Sequence, residues 1–279
     1  MAKVRVNNIE LYYEIHGNGQ PLVLIEGLGC SKWMWFKQIN ELKKHFKVIV
    51  FDLRGVGDSD KPDREYSIKL FADDTAALVT ELGFKKVHVL GVSMGGYIAQ
   101  ELALEYPALV DRLILCSTHY GGPNIVPIPL STLSIMLNGA GAGNALENLR
   151  IAMSLSFSDE YLSTHKDEFE QIVKWKFEKP QPFYAYKRQF YAGLAFDEES
   201  RVHLIKAPTL IMAGKDDKIV PYENALLLHS KIEDSEVEFF DNAGHMFFIE
   251  KAEEVNQKIV EFLTKPIGGD EKWKERILT

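Results

Sequence analysis

The chain has 279 residues, 46% hydrophobic and 26% charged, enough apolar mass for one large domain or two ordinary ones. Its formal charge of −8 is spread along the sequence, which argues against a nucleic-acid surface, and no stretch has the apolar run of a membrane span or signal peptide. The expectation is a cytoplasmic protein with no membrane or nucleic-acid partner, whose two cysteines, Cys30 and Cys116, are too few for a disulfide framework and make no zinc site.

Residues 4–6 and 9–15 read as two strands joined at Asn7-Asn8, a turn-prone pair suited to a hairpin. The runs 21–25 and 46–51 are short and apolar, as strands buried on both faces of a parallel sheet should be, with a helical stretch between them. Ile68, Phe71, Thr75, Leu78, Val79 and Leu82 recur at helical spacing up to Gly83, which sits where a C-terminal cap belongs. A strand at 87–90, a helix running to Tyr106-Pro107 and a strand at 112–116 follow. Beyond 123 the alternation stops, and helical patterns fill the chain to about residue 200. It resumes with strands at 208–213 and 236–240 and a closing helix marked by Ala252, Val255, Ile259 and Phe262. The pattern predicts an α/β protein with a doubly wound, mostly parallel sheet built from 1–120 and 201–265. Residues 121–200 form a helical cap insertion in this reading, with a loosely attached tail at 266–279.

Ser93 stands at the centre of Gly91-Val92-Ser93-Met94-Gly95, directly after one predicted strand and directly before a helix. Such a turn holds the serine at positive φ, where β-carbons on its neighbours would collide, so glycines two residues either side fit the geometry. The helix start behind it offers unpaired backbone N–H groups to an oxyanion. The strand-then-helix context is what gives this nucleophile elbow its weight. A serine hydroxyl needs a base, and the base needs an orienting group. Two loops supply them: Gly214-Lys215-Asp216-Asp217-Lys218-Ile219-Val220-Pro221 and Asn242-Ala243-Gly244-His245-Met246. Both follow parallel strands and leave their carboxyl ends, where open α/β sheets bind ligands.

In this order of motifs the sequence resembles the α/β-hydrolase superfamily, specifically its cap-bearing carboxylesterase, enol-lactonase and haloperoxidase-like branch. The likeness covers nearly the whole core: the elbow, the stretch Asp52-Leu53-Arg54-Gly55-Val56-Gly57-Asp58-Ser59, the acid and histidine loops, and the insertion after the strand ending near Cys116. It implies Ser93 as nucleophile, His245 as general base and then acid, and Asp217, by its spacing from glycine and proline, as the orienting acid in place of Asp216. It also implies that the backbone N–H groups of Leu28 and Met94 bind the oxyanion. The loop after the first parallel strand reads Glu26-Gly27-Leu28-Gly29, with Glu26 where the family usually has histidine. The donors are main-chain groups, so Glu26 is read as structural, bonded to nearby backbone or arginine.

Of the remaining histidines, His119 alone follows a core strand at the sheet's carboxyl edge and is kept as a candidate for the pocket wall. Arg54 is read as bracing its own loop. Gly55-Val56-Gly57 lacks the third glycine, helix start and lysine of a phosphate cradle. The large apolar residues of the insertion are expected to pack its helices, with some facing a chamber over the elbow. Lys174, Lys176, Lys179, Lys187 and Arg188 lie among Glu168, Glu170 and Glu178 and read as a solvated face. The expected activity is hydrolysis of short- to medium-chain carboxylic esters through an acyl-enzyme, on a small-molecule substrate and with no cofactor or metal. Lactonase, thioesterase and acyltransferase activities remain open to the same groups, and a non-catalytic ligand-binding protein is the rival from another class.

Overall fold

A computed structural model describes residues 2–139, 141 and 144–266. The glycine-rich stretch 139–143 thus lies partly outside the described residues, and the tail at 266–279 lies outside them but for Pro266.

Strands β1 (Ala2–Val6) and β2 (Ile9–His16) form an antiparallel hairpin. Asn7 and Asn8 turn it at φ 44° and 64°, the left-handed pair that a two-residue turn matched to strand twist requires. Strands β3 (Gln20–Ile25), β4 (Phe46–Phe51), β5 (Val87–Val92), β6 (Val110–Cys116), β7 (Thr209–Gly214) and β8 (Ser235–Phe240) complete one sheet of eight. Its order is β1-β2-β4-β3-β5-β6-β7-β8, parallel from β4 to β8, with β2 antiparallel to β4. Every residue of β5, β6 and β7 is buried, which is why these strands read as continuous apolar runs and not as alternating ones.

Between β3 and β4 a 3₁₀ turn (Lys32–Trp35) leads into α1 (Phe36–Leu42). Helix α2 (Ile68–Glu81) precedes β5, and α3 (Met94–Glu105) follows it. Ser67 Oγ accepts from Leu70 N–H at the start of α2, and Gly83 just beyond its end takes φ 82°, so both ends of the helix are closed by local chemistry. The insertion holds α4 (Leu130–Asn138), α5 (Ala145–Ser154), α6 (Asp159–Thr164), α7 (Lys166–Glu178) and α8 (Phe183–Leu194), with an isolated bridge from Gly121 to Asp197 at its neck. Helix α9 (Glu223–Lys231) joins β7 to β8, and α10 (Phe247–Glu250) and α11 (Ala252–Thr264) end the described chain.

Each face of the sheet buries its own core. Phe71, Leu78, Ile98, Leu102 and Leu228 of α2, α3 and α9 pack with one, and Trp35, Leu42, Phe248, Ile259 and Phe262 with the other. Each such side chain removed from water contributes about 1.5–3 kcal/mol before entropy is counted. The second core continues into the insertion through Met153, Phe157, Phe169 and Ile172, so α5 to α7 are anchored to that side of the sheet. No helix among the described residues is long and apolar enough to cross a membrane.

The chain runs from β3 to β4 on one side of the sheet centre and then crosses to β5 on the other. A crevice must open where the two directions part, above the carboxyl ends of β3 and β5. Those ends carry Gly27-Leu28 and Ser93.

Candidate active site

Ser93 has φ 57° and ψ −120°, a region that a residue with a β-carbon occupies only when its surroundings force it. Here the force is close packing. A β-carbon on Gly91 would lie 2.2 Å from the Gly95 carbonyl oxygen, and one on Gly95 would lie 2.2 Å from that of Ile25. The turn is thus wedged between β5, α3 and the end of β3, and only glycine fits on either side. Ser93 N–H donates to the Cys116 carbonyl (2.9 Å), and its own carbonyl accepts from Gly96 N–H (2.8 Å) and Thr118 Oγ1 (2.9 Å).

The loop after β7 places Asp217 with its side chain fully buried beside His245. Asp217 Oδ1 accepts from Ile219 N–H (2.8 Å) and Val220 N–H (2.9 Å), while Oδ2 faces His245 Nδ1 at 2.8 Å. A carboxylate can only accept, so in the neutral imidazole the proton sits on Nδ1 and Nε2 keeps its lone pair. Asp216, one residue earlier, is exposed. Neither Ser93 Oγ nor His245 Nε2 has a hydrogen-bond partner among the described residues. In apo sites the bond between such groups often forms only when substrate arrives.

Ser117 and Thr118, just past β6, tie the serine and histidine loops together. Ser117 Oγ donates to the His245 carbonyl (3.0 Å), and Thr118 Oγ1 to that of Ser93. Ser117 is itself held at φ 45°, a second strained position beside the first. Glu250 in α10 clamps the histidine loop from below, accepting from Gly244 N–H (2.9 Å) and Ser158 N–H (3.1 Å). These bracing groups were not singled out in the sequence, where hydroxyls and a glutamate without a motif leave no signal.

The N–H groups of Leu28 and Met94 have no intramolecular acceptor among the described residues. Both residues line a cavity of about 290 Å³ that opens over Ser93. The rest of its wall is mainly apolar and comes largely from the insertion, including Ile128, Leu133, Met136 and Phe190. His119 is in this wall as well, and so is Tyr97, which the sequence reading passed over. Tyr97 lies in the first turn of α3, directly behind the elbow, where no motif marks it. A larger groove of about 460 Å³ beside Tyr66 and Arg188 does not include Ser93 in its wall.

Glu26 is fully buried, and Oε1 accepts from Leu53 N–H (2.8 Å). Burial, together with the charge of nearby Asp52, holds its carboxyl well above the usual carboxylate range. It braces the main chain beside the crevice and is absent from the cavity wall. Arg54 pairs with buried Asp74 through two bonds of 2.6 and 2.8 Å and holds its own loop. Cys30 and Cys116 are buried free thiols. Among the described residues no group of three or more histidine, cysteine, aspartate or glutamate side chains is arranged to hold a metal.

The model of the alpha/beta hydrolase fold family matches residues 20–252. Poly(3-hydroxyalkanoate) depolymerase of Ectopseudomonas oleovorans is 31% identical over 243 residues, 87% of this chain and 84% of that protein. The 2-hydroxy-6-oxononadienedioate/2-hydroxy-6-oxononatrienedioate hydrolase 2 of Pseudomonas putida is 30% identical over 269 residues, 92% of each chain. A thermophilic esterase from Thermogutta terrifontis, solved with malate bound, is similar in structure with a TM-score of 0.80 at 27% identity, over 94% of this chain and 98% of that one. With a family match that runs from the first residue of β3 to the first of α11 and takes in the elbow, the acid loop and the histidine loop, this chain belongs to the α/β-hydrolase family.

Proposed function

We propose that this hydrolase is a serine carboxylesterase acting on short- to medium-chain esters, with Ser93, Asp217 and His245 as its catalytic triad. The observation that carries the reading is the 2.8 Å approach of Asp217 Oδ2 to His245 Nδ1, which favours the tautomer whose free Nε2 can take the serine proton. Ser93 Oγ attacks the ester carbonyl while Nε2 accepts that proton. The oxyanion forms against the N–H groups of Leu28 and Met94, each such donor worth about 100- to 1,000-fold in turnover. The imidazolium, stabilised by Asp217, then gives its proton to the departing alcohol. Water activated by the same Nε2 hydrolyses the acyl-enzyme and restores Ser93. No cofactor or metal takes part in this sequence.

Residues 121–200, with the helices α4 to α8, serve in this reading as the cap, and the apolar wall they give the cavity supports an apolar acyl or alcohol group. The volume of about 290 Å³ is near the low end for ligand pockets and favours short or medium chains over long ones. Similarity to a protein named as a depolymerase of poly(3-hydroxyalkanoate), itself a polyester, and to an esterase supports an ester bond as substrate. The substrate is a small molecule, and the protein works without nucleic acid or membrane.

The test is hydrolysis of nitrophenyl esters from acetate to palmitate, with a lactone and a coenzyme A thioester alongside. Turnover should peak at short or medium chains and fall by about 10,000-fold or more in Ser93→Ala at unchanged thermal stability. Full activity in Ser93→Ala would overturn the nucleophile. Silence toward esters with turnover of the lactone or the thioester would move the assignment to those bonds.

A further inference from the structure

Tyr97 and His119 meet in the cavity wall, with Tyr97 Oη and His119 Nε2 2.6 Å apart. The direction of that bond is decided elsewhere. His119 Nδ1 receives the main-chain N–H of Gly121 at 3.0 Å, so Nδ1 must hold a lone pair. The ring's single proton is therefore on Nε2, which donates to Tyr97, and Tyr97 Oη is the acceptor. A doubly protonated ring would set two N–H groups against each other at Nδ1. Burial agrees, lowering the His119 pKa to about 4. The hydroxyl proton of Tyr97 is then left without a partner among the described residues.

The ring cannot easily turn away to find one. It is stacked on Phe196 with centroids 4.5 Å apart and packs against the His119 ring at 4.7 Å. Burial and the charge of Asp217 push the phenol's pKa above its usual value, so the proton stays on. Gln189, whose side-chain amide is also in the wall, is tied at both ends, accepting from Gly29 N–H (3.2 Å) and donating to the Arg54 carbonyl (2.9 Å). A donor without an acceptor in a mainly apolar wall costs free energy unless a ligand supplies the acceptor.

We propose that the Tyr97 hydroxyl is a specificity-determining donor, pre-set by His119 and Gly121, that recognises a second carbonyl-type oxygen on the substrate, so that the preferred esters are oxo-acyl compounds and not plain alkanoates. The inference rests on the hydrolase reading of the same site and extends it from bond type to substrate class. Recognition needs no charge in the cavity, only one acceptor at a fixed distance from the scissile carbonyl.

The experiment pairs nitrophenyl 3-oxobutanoate, 4-oxopentanoate and 5-oxohexanoate with butanoate, pentanoate and hexanoate. A ketone cannot donate, so only a donor in the protein can single it out. The readout is the ratio of kcat/KM for each oxo ester to that of its alkyl parent, in wild type and in Tyr97→Phe, which keeps the stacked ring. At one chain position the ratio should fall by about five- to tenfold in the variant, as loss of a neutral hydrogen bond predicts. A purely structural role for Tyr97 would slow both members of a pair alike, and ratios unchanged at every position would overturn the proposal. A second arm measures calorimetric affinity of the corresponding ethyl esters for Ser93→Ala and Ser93→Ala/Tyr97→Phe. A preference for an oxo ester that disappears with the hydroxyl supports the donor even if wild type hydrolyses none of the series, in which case the hydrolase reading alone fails. No such preference in the Ser93→Ala background refutes the donor whatever the turnover.

Discussion

The loops at the sheet's carboxyl edge and the helical insertion above them hold their residues in different ways. Ser93, Asp217 and His245 are fixed largely by main-chain bonds: strand to turn, loop N–H to carboxylate, hydroxyl to carbonyl. Ile128, Leu133, Met136 and Phe190 present apolar surface to the cavity, and contact of that kind has no preferred direction. The first region sets the direction of individual bonds, and the second sets the shape of a volume. A substitution in the first should therefore damage chemistry on every substrate, and one in the second should redistribute activity among substrates.

The sharpest test of the first half is Asp217→Asn. Because Oδ1 already receives two loop N–H groups, an asparagine would keep its oxygen there and turn its NH₂ toward His245 Nδ1. The imidazole would be forced into the other tautomer, with a proton on Nε2 and no lone pair for Ser93. Turnover should fall by about 10,000-fold with KM nearly unchanged, as expected for a reversed tautomer. Asp216→Asn, at an exposed position, should leave esterase kinetics as they are. Equal losses in both variants would mean that charge in this loop, and not the direction of one hydrogen bond, supports the reaction.

The second half of the comparison is tested at Leu133 in α4, part of the cavity wall. Leu133→Trp should cut kcat/KM for hexanoate and longer esters by about tenfold to a hundredfold, the range for one or two displaced methylenes, while acetate is much less affected. An equal loss along the whole series would show that α4 steers the loops below it instead of meeting the substrate. Such coupling has one visible route, the bond from Thr132 Oγ1 to the Lys218 carbonyl in the acid loop (3.0 Å).

The same division explains what could be read from the sequence. Strands buried on both faces leave apolar runs, and a strained serine leaves paired glycines, so the sheet, the elbow and the loops beside it were legible, while the expected parts of Asp217, Leu28 and Met94 came only from family resemblance. The helix α9 was passed over, because only Asn224, Ala225 and Leu228 of its nine residues are buried and its periodic signal is correspondingly thin. The break in alternation marked the helical stretch between β6 and β7, but not which of its apolar residues pack together and which face the cavity. His119 was flagged by its place after a core strand. Tyr97, Ser117, Thr118 and Glu250 carry no motif, and their parts follow only from hydrogen bonds between residues distant in the chain.

Glu26 gives the smallest and subtlest test, since it belongs to the main-chain-braced region yet carries an ionisable group. Its Oε1 holds Leu53 N–H, while Oε2 is buried with no partner among the described residues. An unfolded glutamate ionises near about pH 4.3, but the folded one resists, so the native state binds more protons above that pH. Wild type should thus lose stability from this group as pH rises past the ordinary carboxylate range, and lose none below it. Glu26→Gln keeps the acceptor for Leu53 and removes the titration. Its melting temperature should match wild type near pH 4.5 and exceed it increasingly toward pH 8, by about 3 °C for each kcal/mol relieved in a chain of this size. Parallel stability curves would mean that Glu26 ionises in place, and then its charge beside the crevice should appear as an extra inflection in the pH profile of kcat/KM. With a neutral Glu26 that profile should be the same in both proteins, because main-chain geometry, and not the charge at this position, holds the loop that carries Leu28.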